Sequence, residues 1–90
     1  MQNNELVKIA YEHFEKGTMH GLYAVYDIGN SIVAFGGNPK EKIYGCRSIE
    51  VNKLSGDIKL FAPWITENEK MLDNAIVLDI PKEYTYKEGA

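Results

Sequence analysis

One thiol and two imidazoles are the groups in this 90-residue sequence best suited to nucleophilic or metal chemistry. The thiol is Cys46, and the imidazoles are His13 and His20. A cysteine becomes a nucleophile when a cation, a histidine or a helix N-terminus lowers its pKa. Arg47 follows Cys46 directly, but successive side chains on a strand point to opposite faces. A Cys46–His13 or Cys46–His20 dyad would make a small thiol enzyme or ligand-binding domain. Against that stands the ordinary role of a free cysteine as a small buried hydrophobe. No third ligand stands at metal spacing with the two histidines, so no metal site is expected. Gly36-Gly37-Asn38-Pro39 lacks the lysine and the following helix of a phosphate loop and reads as a turn. Glu67 and Glu69 belong to the first turn of a short helix, where the dipole favours anions. No Ser–His–Asp set is specified. The expectation is a protein without catalytic residues, cofactor or metal.

The elements that position these groups follow from periodicity. Leu6, Ile9, Ala10, His13 and Phe14 recur at helical spacing, with Glu5, Lys8, Glu12 and Glu15 on the other side. That predicts a helix from about Asn4 to Lys16, capped by Asn3 or Asn4 and stopped at Gly17. Strand-like runs follow at Leu22–Ile28, Ile32–Phe35, Ile43–Asn52 and Ile58–Phe61. Gly29-Asn30 suits a two-residue hairpin, and Lys53–Asp57 closes another with Gly56 at positive φ. Pro63 ends the fourth strand. Thr66 and Glu69 then match a capping box for a helix running to about Ala75. Val77, Leu78 and Ile80 read as an extended segment against the core. The predicted fold is α+β: an N-terminal helix on a four-stranded antiparallel meander, then a short C-terminal helix. One domain spans 1–81, with a mobile polar tail over 82–90.

Composition narrows the partners. Apolar residues make up 44% and charged residues 26%, ordinary values for a globular domain. Thirteen acidic against ten basic side chains give a net charge of −3. No basic patch calls for nucleic acid. No apolar run approaches the ~20 residues that cross a bilayer, so no membrane role is expected. A single cysteine precludes an internal disulfide, and the start of the chain lacks a signal-peptide pattern, so a cytoplasmic location is expected.

Strict alternation assigns Leu22, Ala24, Ile32, Ala34, Ile49, Val51, Ile58 and Leu60 to the face under the first helix. The opposite face would carry Tyr23, Val25, Val33, Phe35, Tyr44 and Phe61, with Trp64 near its rim. That set is too apolar for a solvated face, and such patches mark interaction sites when exposed. The alternative is that the second helix, Val77–Ile80 and the tail cover it as a second small core. The acidic residues Glu67, Glu69, Asp73, Asp79 and Glu83 gather in the last third. They read either as a solvated helix face or as a patch steering a basic partner. The expected partner-binding residues are therefore Tyr23, Val25, Phe35, Tyr44, Phe61, Trp64, Glu67, Glu69 and Asp73.

The segment Ile49-Glu50-Val51-Asn52-Lys53-Leu54-Ser55-Gly56-Asp57-Ile58 carries a family resemblance. With the N-terminal helix, the aromatic first hairpin and Gly45 before the third strand, it resembles the YrhB-type immunity domains of bacterial toxin systems. The resemblance implies a small α+β protein that neutralises a toxin enzyme from the same locus by binding it. It implies no active residues. The expected function is thus a non-enzymatic protein-binding domain of the immunity type. Two alternatives stay open: a chaperone-like or structural domain forming a homodimer through the open sheet face, and a thiol enzyme or ligand-binding domain using Cys46.

Overall fold

The computed structural model describes residues 2–16, 21–37 and 48–86. Helix α1 spans Asn3–Lys16. Strands β1 (Leu22–Asp27), β2 (Ser31–Gly36), β3 (Ser48–Asn52) and β4 (Ile58–Leu60) follow. Helix α2 (Thr66–Asp73), strand β5 (Ile76–Val77) and a 3₁₀ turn (Lys82–Tyr84) complete the described chain. The strands form one antiparallel sheet in the order β4-β3-β2-β1-β5. The class is α+β, with five strands where the sequence predicts four.

Apolar spacing on α1 fixes its buried face. Leu6, Val7, Ala10 and Phe14 pack against Leu22, Val25, Ile32, Ala34, Ile49 and Val51 of the sheet. Burial of a Val or Leu side chain contributes about 1.5–3 kcal/mol, so this cluster dominates the stability. His13, expected on the stripe, is exposed, and Val7 takes the buried place. The His13 ring meets Phe14 edge-on, with centroids 5.5 Å apart. Gly36 lets Phe14 settle on β2, since a Cβ there would lie 2.6 Å from the ring.

Both predicted hairpins form. Ile28 donates to the Ser31 carbonyl across Gly29-Asn30, with Gly29 at φ +108°. In the second turn Gly56 stands at φ +76°. There the Asn52 Oδ1 accepts from the amides of Leu54 and Ser55, and Ser55 Oγ accepts from Asp57. The Lys53 amide donates to the Asn30 carbonyl, tying the two turns together at one end of the sheet.

The faces of β1 differ from strict alternation. Leu22 pairs with Gly36, but Ala24 pairs with Phe35, so an extra residue is inserted at Tyr23. A bulge of this kind reverses the facing of every later residue on the strand. Val25, expected on the open face, is therefore fully buried beneath α1. Tyr26, which strict alternation would place with Leu22 and Ala24 under the helix, turns to the opposite face instead. There its ring meets Phe35 at 5.8 Å, and Tyr23 meets Phe35 at 5.7 Å.

Other expectations change. Ile58 and Leu60, expected under the helix, pair with Val51 and Ile49, yet both are exposed, because they lie on the edge strand. Thr66 is not a cap: α2 is preceded by Ile65 in extended conformation with no side-chain cap bond. The Asn68 side chain donates to the Ala62 carbonyl instead, fastening α2 to the chain leaving β4. Leu78 and Ile80 pack against the core as expected, on its α1 side and together with Tyr84, whereas Val77 is exposed. Residues 82–86, which the sequence assigns to a polar tail, carry the 3₁₀ turn and make contacts with α1 and β1. The Tyr84 ring meets Tyr11 of α1 at 4.8 Å, and Tyr86 donates to the Leu22 carbonyl. The predicted helix stop at Gly17, the first part of the third strand at 43–47, and residues 87–90 lie outside the described residues.

Candidate functional site

Two places in the fold gather side chains that could recognise something. The first begins where β4 ends. Ser48 is buried, and its hydroxyl donates to the Phe61 carbonyl at 2.7 Å, while the Phe61 amide donates to the Ser48 carbonyl. This clamp fixes the direction in which the chain leaves the sheet. Pro63 then forbids further pairing, and a turn closes with Ile65 donating to the Ala62 carbonyl. The consequence is that Phe61 is buried while Leu60, Trp64 and Ile65 stand out in solvent. Leu60 is 73% exposed and Trp64 66%. Glu67 and Glu69 follow at once in the first turn of α2, and Asp73 ends that helix, all three exposed. The helix buries no residue, so its polar face and its few apolar side chains are both available.

The second place is an open cleft of about 630 Å³ at the hairpin end of the sheet. Asp27, Gly29 and Lys53 line one side; Lys70, Met71, Asn74 and Ile76 line the other. Lys53 Nζ donates to both Asp27 oxygens, at 2.7 and 2.8 Å, and the Gly29 amide donates to Asp27 Oδ1 at 2.8 Å. The Lys53 ammonium foremost, with the Gly29 amide, holds the Asp27 carboxyl below its ordinary value. The pair neutralises itself and holds the two hairpins together, while the exposed Lys70 adds one further positive charge to the cleft wall. Among the described residues no three His, Cys, Asp or Glu gather where they could hold a metal ion. None of the described helices is long and apolar enough to cross a membrane.

The residues expected to bind a partner separate accordingly. Trp64, Glu67, Glu69 and Asp73 are exposed along one continuous stretch of chain. Tyr23 and Phe35 are half-buried in a shared aromatic group with Tyr26. Val25 and Phe61 are buried, Val25 through the bulge and Phe61 through the clamp on Ser48. Val33, on the same face as Phe61, is buried too, so that face is not the open apolar patch expected. Tyr44, Cys46 and His20 lie outside the described residues. Leu60, Ile65, Ile76 and Val77 were missed as surface residues. Their apolar character reads as core; Leu60, Ile76 and Val77 are exposed on the short edge strands, and Ile65 on the turn before α2. No known protein family, no curated protein and no solved structure matches the chain.

Proposed function

We propose that this chain is a non-enzymatic protein-binding domain of the immunity type, engaging its target through the segment from Leu60 to Glu69. The observation that carries the reading is the exposure of Trp64 beside Leu60 and Ile65, with Glu67 and Glu69 adjoining. A large aromatic side chain on a fixed turn loses little conformational entropy on binding and serves well as an anchor. Carboxylates at its rim would steer a basic partner and set the association rate more than the affinity. The target suggested by the resemblance of the 49–58 hairpin is a toxin enzyme, blocked by occlusion. The sheet face away from α1 contributes less to this reading, since Val33 and Phe61 are buried there.

Affinity capture from the native host, with the intact protein as bait, tests the reading. Recovery of one stoichiometric enzyme whose activity falls on complex formation is the expected result. Trp64→Ala should then weaken the complex by about 2 kcal/mol, roughly thirtyfold in Kd, by the scale of aromatic anchors. Recovery of the bait alone, or a complex indifferent to Trp64→Ala, would overturn it.

A further inference from the structure

The two edges of the sheet are not equivalent. At one edge β4 carries Lys59 between Ile58 and Leu60. Lysine on an edge strand is a common guard against pairing with other chains. At the other edge β5 is only Ile76-Val77, with no charge, proline or bulge within it. Ile76 is 68% exposed and Val77 71%.

Backbone geometry adds a constraint. Leu78 donates to the Val25 carbonyl at 2.9 Å, and β5 pairs with β1 as Asp27 to Ile76 and Tyr26 to Val77. In an antiparallel ladder the bonding direction alternates along the strand. Ile76 and Leu78 therefore turn their backbone groups to β1. Val77, between them, directs both its N–H and its C=O out of the sheet.

We infer that β5 pairs antiparallel with β5 of a second copy of this chain, about a two-fold axis at Val77. A two-fold antiparallel pairing is isologous and places one residue opposite itself. Where that residue points both backbone groups outward, it exchanges two hydrogen bonds with its own counterpart. Val77 is so disposed. The register that follows sets Ile76 opposite Leu78 of the second copy and Ala75 opposite Asp79, so no like charges meet. On the face away from α1, Val77 stands beside Tyr26, which stands beside Val33. The pairing continues that row as Tyr26, Val77, Val77, Tyr26 across the axis and merges the sheets into one of ten strands. An edge this short buries far less than the ~1,200 Å² of stable complexes, so the dimer is reversible and concentration-dependent.

Sedimentation equilibrium of the intact protein over a wide concentration range tests this. The weight-average mass should rise toward twice that of the chain. The Val77 amide should exchange more slowly as the dimer fills. Val77→Lys should hold the protein monomeric with unchanged circular dichroism, whereas Ile58→Lys on the opposite edge should leave the dimer intact. A monomer at every concentration would overturn the inference, as would a dimer that survives Val77→Lys or one that dissolves in Ile58→Lys. If Val77→Lys does not fold, the concentration dependence of Val77 amide exchange in the unaltered chain decides alone. An amide whose exchange ignores concentration would count against the pairing.

Discussion

Asp27 joins the two hairpin turns through a single side chain. It accepts from Lys53 twice and from Gly29 once, and its carboxyl is held below the ordinary value. A depressed carboxyl contributes stability above its unfolded pKa of about 3.9 and loses it as pH falls through the folded value. Asp27→Asn should therefore cost about 1.5–3 kcal/mol at neutral pH, the range for hydrogen bonds to charged groups. In urea titrations repeated down the acid limb, that difference should shrink below about pH 4, where the carboxyl of the unfolded chain takes up a proton while the folded one still holds its charge, and vanish as pH falls through the folded value. A difference that stays constant to low pH would mean the ion pair contributes nothing. The glycine and asparagine turn signals around this residue were legible from sequence. The Asp27–Lys53 pair was not, because it joins different hairpins whose relative placement only the assembled sheet defines.

At the level of elements, the bulge in β1 decides what the sheet shows on each side. Leu-Tyr-Ala-Val-Tyr offers apolar side chains in either register, so period two could not reveal an inserted residue. The structure chooses the register that buries Leu22 and Val25 together. Val25→Ala should then destabilise by about 2 kcal/mol, from two lost methyl groups and the cavity they leave. Val25→Asp should abolish cooperative unfolding, while Tyr23→Asp, at the bulge, should retain it. Tolerance of Asp at both positions would restore strict alternation, which puts Tyr23 and Val25 together on the open face. Helix α1 and the hairpins were legible because their patterns are long or their turn chemistry is specific. Strand β5 is two residues long, and so short a pattern carries no period at all. The Thr66–Glu69 spacing matched a capping box, yet the helix is secured by Asn68 on Ala62, a contact outside that motif.

Over the whole molecule, the segment after β5 returns to the α1 side and closes the sheet's far corner. Thr85 forms a parallel bridge with Leu22, and Tyr86 donates to the Leu22 carbonyl. The return is possible because Gly21 is bare. It stands at φ +86°, and a Cβ there would lie 2.6 Å from Tyr86 Cα and N. Gly21→Ala should cost about 2 kcal/mol or more through positive φ and the backbone clash together. In hydrogen exchange the loss should centre on the Tyr86 amide before spreading to the core. Uniform loss across the sheet, with Tyr86 unaffected, would refute this. A polar sequence after Pro81 gave no sign of this docking, because the tie is backbone to backbone and the permissive residue lies far upstream.

The strand order also has a consequence for synthesis. Strands β1 to β4 pair with their neighbours in sequence, so they can assemble as the chain leaves the ribosome. The outer edge of β1 waits for β5, some fifty residues farther along the chain. Until those emerge, the nascent sheet shows β1 as a bare edge bearing Tyr23 and Tyr26, the kind of template on which unfinished chains aggregate. The longer the interval between the emergence of β1 and that of β5, the longer the nascent chain stays vulnerable.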